Sequence, residues 1–448
     1  MSARFGQCAL IVLVLLCGGC ATYTDTVGGV YQAADAGDYG GGIRRLNKIL
    51  GVETCDQLPD RWTASRSLAV LERAVLLQAT GQYKCSAKDL STAEAELEVL
   101  DLTSDPAGTI GKYIYSDSAQ IYRTPPTERL AISGLNMLNY LAQDDLEGAS
   151  VEARRFTVSR SYLESLDKAS HGAFGSYLSG FVFERLAEPD RALRHYEEAL
   201  EAGDLQSLRE PIIRLSRRAD YRGSRLRAYL DKSQAVPTAE RPSGAEADGE
   251  ILLVLGLGRV PYKVPKRIPV GVALGIAGTN VTGDPAVLTS LAMKMIVYPE
   301  LVVRNNLMTG AAVSLDGRDV PVELLTDLGG EVAREYETLK PKIIGAALTR
   351  MIARAAVAEA TRYSLRKSDE SARSLAALAA EAALIGLDKP DTRSWTFLPG
   401  RVYICRIRVR PGRHELHVML AGQTRESRVI QVDVPPGGFR FAAIVEPR

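Results

Sequence analysis

The sequence predicts a multidomain α+β protein, with an N-terminal all-α array of helical hairpins and a C-terminal α+β domain whose sheet is mainly antiparallel. Apolar residues recur at helical spacing up to about residue 232, and at alternate positions from Ile251 onward. A segment rich in Pro, Ala, Gly and Glu, residues 233–248, separates the two patterns and reads as a linker. With 448 residues, 46% of them hydrophobic, the chain can form two or three cores.

Composition argues against nucleic-acid binding and offers little for catalysis. The 55 basic and 54 acidic residues give a net charge of +1, far from the basic excess that dominates nucleic-acid affinity. His414 and His417 lie three residues apart on a predicted strand, so they point to opposite faces and form no metal pair. The sequence therefore predicts no catalytic residue, no metal site and no cofactor.

The N-terminus predicts export and a lipid anchor. The apolar run of residues 8–17 is about ten residues long, short of the roughly 20 that span a bilayer, which indicates a signal peptide over residues 1–19. The segment Leu16-Cys17-Gly18-Gly19 before Cys20 resembles a bacterial lipobox, which implies that Cys20 is acylated. Ala21 is not the aspartate that retains some lipoproteins in the inner membrane, so the resemblance favours the outer membrane. An ordinary secretory signal is the alternative.

Three cysteines remain after Cys20. In an oxidising compartment Cys55 and Cys85 either form a disulfide, which would stabilise the fold by about 3 to 4 kcal/mol, or stay as two thiols. A helix is predicted at about residues 65–80, so the chain after Cys55 must run back along it for the sulfurs to meet. Cys405 lies on the apolar side of a predicted strand, where we expect it to be buried.

The helical half contains internal repeats, and the best one spans residues 180–199. A glycine, an aromatic, a small residue, an aromatic and a small residue follow at offsets of 3, 9, 4 and 3: Gly180, Phe183, Ala192, Tyr196 and Ala199. This spacing matches the tetratricopeptide repeat, in which small residues let two antiparallel helices approach and aromatics fill the space between them. Weaker copies begin near Gly37, Gly81 and Met137, and ordinary helical hairpins are the alternative.

An arginine-rich run closes the helical half. Five arginines of this run are candidate partner-binding residues: Arg214, Arg217, Arg218, Arg222 and Arg225. They suit an acidic protein segment, a phosphorylated lipid or an anionic glycan, although a solvated helix face has the same composition. Further along the chain, Arg406, Arg408 and Arg410 alternate with apolar residues, and we expect a solvated sheet face there, with a site for an anionic ligand as the alternative.

The C-terminal half, residues 249–448, alternates between strand and helix signals. Strands are predicted at residues 251–255 and 269–274, and hairpins over the last fifty residues. Helical spacing returns between about residues 320 and 387, and this insertion is expected to cover one face of the sheet. Gly256 and Gly258 follow a strand but precede prolines, so they indicate a turn and not a dinucleotide-binding loop.

Four short segments carry a family resemblance: LNYL at residues 138–141, VEARR at 151–155, DTRSW at 391–395, and Leu398-Pro399. With them, the chain resembles a family of uncharacterised bacterial outer-membrane lipoproteins that join tetratricopeptide repeats to a C-terminal β-rich domain. Within DTRSW, Asp391 and Arg393 suggest a local salt bridge, and Trp395 a packing anchor.

Taken together, these features favour a lipid-anchored scaffold or adaptor that faces the periplasm from the outer membrane. Its array of residues 20–232 is expected to bind another envelope protein during assembly of the cell wall, a surface polymer or a secretion system, without catalysis. The alternative is a ligand-binding lipoprotein whose C-terminal sheet domain holds a glycan or a lipid.

Overall fold

The computed structural model describes residues 23–102, 122, 124–165, 172–234, 248–278, 294–364 and 390–448. The predicted signal peptide, Cys20 and most of the predicted linker lie outside these ranges. Helices precede residue 235 and strands begin at Gly249, so the α+β fold class is confirmed.

Four helical hairpins form the N-terminal array. Their helices are α1 (Tyr23–Asp35), α2 (Tyr39–Leu50), α3 (Ala64–Ala79), α4 (Tyr83–Leu102), α5 (Pro126–Leu141), α6 (Leu146–Ser165), α7 (Ala173–Arg185) and α8 (Pro189–Ala199). Two shorter helices, α9 (Arg209–Ser216) and α10 (Ser224–Gln234), extend the array. Local sequence sets the ends: the Asp38 side chain caps the start of α2, and Gly51, in the left-handed region at a φ of 75°, ends it.

The five residues of the best repeat lie in the core of the α7–α8 hairpin. All five are buried, and the Phe183 ring stacks on His195 with centroids 5.4 Å apart. A Cβ atom added at Gly180 would collide with the ring of Tyr196. The glycine therefore lets the two helices approach until the tyrosine fills the space between them.

The C-terminal half forms two four-stranded sheets. Their strands are β1 (Gly249–Leu257), β4 (Met308–Leu315), β5 (Arg318–Val320), β6 (Glu323–Thr326), β7 (Arg401–Val409), β8 (Gly412–Gly422), β9 (Arg425–Val434) and β10 (Phe439–Glu446). The first sheet has the order β10-β1-β7-β6, and the second β5-β4-β8-β9. Only the β1–β10 pairing is parallel within these sheets, so they are mainly antiparallel, as predicted.

The sheets and the array form three layers. Strand β1 is buried along its whole length because both of its faces are covered. Ile251, Leu253 and Leu255 pack against the second sheet, whereas Leu252 and Val254 belong to the same hydrophobic cluster as the helical hairpins. The array therefore covers the outer face of the first sheet, and the two halves of the chain share a core.

The described part of the predicted helical insertion does not cover this sheet, contrary to expectation, and its residues 365–387 lie outside the described ranges. Its helix α12 (Leu328–Ser364) packs on a separate two-stranded ladder, β2 (Tyr262–Pro269) with β3 (Met295–Val302). The strand predicted at residues 269–274 is also wrong, because the segment forms helix α11 (Val270–Ala277). Its buried positions recur at helical spacing, which directs one face of α11 toward α12.

Within the described ranges, no helix combines the length and the apolar character that crossing a bilayer requires.

We predict opposite effects for alanine at two helical glycines. Gly180→Ala should lower the free energy of unfolding by about 1 to 3 kcal/mol, because the new methyl group displaces the Tyr196 ring. Gly275→Ala should leave it unchanged or raise it by up to about 1 kcal/mol, since nothing lies within 4 Å of its added Cβ. Urea unfolding of both variants checks the pair. Equal free energies of unfolding for Gly180→Ala and Gly275→Ala would contradict the close approach of α7 and α8.

Candidate functional site

The first helices of the four hairpins, α1, α3, α5 and α7, form what we call the inner face of the array. A helical-repeat solenoid ordinarily presents such a long surface to its partner. Here the inner face meets the first sheet and the irregular segment of residues 390–399, which turns at residues 396–397 and leads into β7. Trp395, Phe397 and Leu398 of this segment are fully buried. The chain itself therefore occupies the surface that such an array ordinarily presents to a partner.

Glu72 of α3 holds the segment through its main chain. The backbone N–H groups of Thr396 and Phe397 donate to the two carboxylate oxygens of Glu72, at 2.9 and 2.7 Å. The Tyr31 hydroxyl donates to the same carboxylate at 3.0 Å. Burial raises the pKa of Glu72 to about 8, although the hydrogen bonds and the charge of Arg259 favour the ionised form.

A second buried acid, Glu128 of α5, binds the main chain of Trp395, the residue that precedes Thr396. It accepts a hydrogen bond from the hydroxyl of Tyr122 at 2.5 Å and another from the backbone N–H of Trp395. Burial raises its pKa. Three consecutive main-chain donors, at residues 395–397, are thus bound by carboxylates from two inner helices.

Aromatic and cationic groups complete this contact. The rings of Tyr31 and Phe397 meet edge to face, with centroids 5.3 Å apart. The buried guanidinium group of Arg259 lies 4.5 Å from the centroid of Phe397 and pairs with Asp35 at 3.0 Å. Helix α1 is thereby joined to the segment and to the turn that follows β1.

A buried ionic cluster joins α7 to the first sheet. The side chain of Arg406, only 2% exposed, contacts Glu184 at 2.9 Å and Glu250 at 2.6 Å, and it donates to the Tyr196 hydroxyl at 2.9 Å. Burial alone would raise the pKa of Glu184, but Arg406 and Arg185 outweigh it and lower the pKa to about 2. The expectation of a solvated arginine face on this strand is therefore wrong for Arg406.

The arginines at the end of the array divide into two groups. Arg214 pairs with Glu184 and, at 3.3 Å, with Glu210, so it belongs to the internal contact. The remaining candidates are exposed and form no ion pair within the described ranges: Arg217, Arg218, Arg222 and Arg225. We call these four the arginine end of the array.

The cysteines and histidines make local contacts. Cys55 and Cys85 are joined by a disulfide, with Cα atoms 5.6 Å apart, because the chain after α2 returns along α3. Among the described residues, the two cysteines and Asp56 form the one group of three side chains whose possible metal-ligand atoms all lie within 4.8 Å of one another. The two sulfur atoms of this group are bonded to each other in the disulfide. Cys405 is buried, which raises the pKa of its thiol to about 12.

His414 and His417 point to opposite faces of β8, as predicted. His414 contacts Asp316 at 2.7 Å, and His417 contacts Glu415. The expected salt bridge between Asp391 and Arg393 is present at 2.6 Å.

Sequence reasoning missed Glu72. Its signal was the single acid, next to Arg73, within the otherwise apolar residues 68–77, a position where an unpaired carboxylate would be costly to bury. The sequence does not show which distant donors satisfy it.

These contacts define a class of architecture: an array of helical hairpins whose inner face is closed by a β-sandwich of the same chain. The sandwich consists of the two four-stranded sheets, which pack against each other. Comparisons with protein-family models, with curated proteins and with solved structures found no match.

We predict that Glu72→Ala strongly destabilises the protein. The change leaves two buried main-chain N–H groups without an acceptor, so the free energy of unfolding should fall by about 2 to 6 kcal/mol. Glu53→Ala, at an exposed position of the same array, should change it by less than about 0.5 kcal/mol. Urea unfolding monitored by circular dichroism compares the two, and coincident transitions would refute the role of Glu72.

Glu335 of α12 provides a pH-dependent contact with the array. It accepts the backbone N–H of Thr127, in the first turn of α5, at 3.3 Å. Burial, aided by the nearby carboxylate of Glu128, raises its pKa to about 7, whereas the hydrogen bonds of Thr127 and the charge of Lys263 act in the opposite direction. The folded-state pKa lies above the unfolded value of about 4.3, so the fold favours the protonated acid.

We therefore predict that Glu335 reduces stability as the pH rises from about 4 to 7. Glu335→Gln should remove this loss, so that the variant gains about 1 to 3 kcal/mol over the wild type between pH 4.5 and pH 8. Glu337→Gln, at an exposed position of the same helix, is the control and should track the wild type. Urea titrations at the two pH values measure the difference, and a constant difference for Glu335→Gln would be evidence against its burial as an acid.

Proposed function

We propose that this protein is a lipid-anchored scaffold that faces the periplasm from a bacterial outer membrane and binds another envelope protein without catalysis. The assembly that it serves is that of the cell wall, a surface polymer or a secretion system. One observation carries the proposal: the inner face is filled by the chain, whereas the arginine end remains exposed on the same rigid body.

The shared core supports a rigid scaffold. Hydrophobic residues of the helices and of the first sheet belong to one cluster, and the ionic cluster at Arg406 fixes the same contact by charge and geometry. Relative motion of the two halves would expose apolar surface and unpair buried charges, both of which are costly. A surface on the array therefore keeps a fixed orientation toward the sandwich.

The arginine end favours an acidic protein segment as the partner. Four exposed arginines and one exposed acid, Asp220, lie between residues 217 and 225, and two acids of the neighbouring helix α8 are engaged within the chain. Glu197, for example, accepts the backbone N–H of Arg225 at 2.7 Å, and Asp190 accepts that of Asp220 at 2.8 Å. Their positive potential would steer an acidic partner and give binding that weakens as salt rises.

We predict that reversing the charge of the arginine end abolishes partner binding. Cells that produce the full chain are treated with a mild crosslinker, and a stoichiometric partner is quantified by mass spectrometry. Substitution of all four arginines by glutamate should lose this partner, because the acidic segment would then face like charge.

The control is Arg413→Glu with Arg425→Glu, which reverses two exposed arginines on the sandwich and should retain the partner. Retention by the fourfold variant, or equal loss in both, would contradict the assignment. A deletion of residues 249–448 is unsuitable here, since it would expose the shared core.

A further inference from the structure

Strand β9 is the longest edge strand of the sandwich. It ends the order β5-β4-β8-β9 and pairs only with β8 among the described strands. Beyond that ladder, residues 425–434 form no main-chain hydrogen bond within the described ranges. One row of N–H and C=O groups along β9 is therefore without a strand partner, and six of the ten side chains are exposed. The edge is open to an added strand.

The other edge strands of the sandwich carry features that hinder pairing. β5 and β6 are only three and four residues long, and a register shift interrupts the pairing of β6 with β7. β10 lies against the array, where the hydroxyl of Tyr83 donates to the Ala443 carbonyl at 3.4 Å. In contrast, β9 contains neither proline nor glycine and pairs with β8 without a register shift. A regular edge of ten residues is suited to bind another strand through its main chain.

The charges along β9 match those of a second copy of the same strand. Residues directly opposite in an antiparallel pair share one face of the sheet, so two copies pair symmetrically about one residue of β9. With Val429 at that position, Arg425 of each copy lies opposite Asp433 of the other, because both are four residues from Val429. Both charged side chains are exposed and form no ion pair in the described part of the chain, although Arg413 lies opposite Asp433 on β8. Each therefore gains an oppositely charged partner.

The neighbouring registers lack this match. Pairing about Arg428 would place two arginines directly opposite each other, and pairing about Ile430 would leave Arg425 beyond the end of the opposite strand. Pairing about Val429 also brings together two valine side chains that are each 54% exposed in the single chain, so apolar surface is buried at the centre of the contact. Charge and apolar burial thus select the same register.

We propose that the protein forms a twofold dimer in which β9 pairs antiparallel with β9 of a second copy, in the register centred on Val429. The second sheets of the two copies then form one sheet of eight strands. Because the pairing consumes both edges, the dimer is closed and does not grow into a filament. Self-pairing is independent of the proposed function, since none of the four residues of the arginine end lies in β9.

Cysteine crosslinking of the full chain tests the register. Val429→Cys should give a dimer on oxidation with copper–phenanthroline, because its two Cβ atoms lie about 4.5 to 5.5 Å apart in the proposed pair. Ser427→Cys is the matched control on the same strand: its two copies are about 14 Å apart, so it should give no dimer. The wild type, whose described cysteines are disulfide-bonded or buried, measures the background. Dimer from both variants, or from neither, overturns the register.

Exchange of charge tests the identity of the partner. In sedimentation velocity, Arg425→Asp and Asp433→Arg should each weaken self-association about tenfold, because each places two pairs of like charge across the dimer. An equimolar mixture of the two variants should regain the dimer, since one chain then carries two aspartates and the other two arginines. Urea unfolding establishes that both variants are folded. A mixture that associates no better than either variant alone would refute the pairing of Arg425 with Asp433.

The remaining outcomes separate self-pairing from its alternatives. A wild-type chain that sediments as a monomer at every concentration overturns the proposal. Crosslinking of Val429→Cys to a different protein, without a self-dimer, would assign β9 to a foreign strand and overturn the second copy. Arg413→Glu with Arg425→Glu should weaken the dimer yet keep the envelope partner, whereas reversal of the arginine end should do the opposite, so the two contacts fail separately.

Discussion

Glu72 sets the constraint on which the arrangement of this protein depends. A carboxylate in the buried middle of a helix must find hydrogen-bond donors, and here they are two consecutive main-chain N–H groups from a segment more than three hundred residues away. Main-chain donors fix the path of that segment as well as its position. The path places Trp395 and Phe397 in the core, so the inner face of the array is closed as a consequence.

Closure of the inner face distinguishes this array from an open solenoid. An open solenoid offers a long surface and flexes along its axis, whereas this one is covered by a sandwich that it helps to fold. The buried charges at Arg406 and Arg259 lie along the same contact, where each has a carboxylate partner. The inner face is thereby occupied within the chain, whereas the arginine end stays exposed.

The periodic features of the fold were predictable from sequence, and the long-range contacts were not. Helix α3 and strand β1 follow directly from apolar spacing, and the close approach at Gly180 follows from the repeat. The segment Val270–Ala277 was mistaken for a strand because short apolar runs suit both structures. Alternation on β7 placed Arg406 on the correct face, but the sequence does not show that helices, not solvent, cover that face.

Amide hydrogen exchange at Thr396 and Phe397 tests the central claim most directly, because these two N–H groups are the ones that Glu72 accepts. If the chain closes its own inner face, both amides exchange only with the opening of the core and are as protected as those of β1. Exchange of both at the rate of an exposed loop, while β1 stays protected, would show that the segment leaves the array and that the inner face is open.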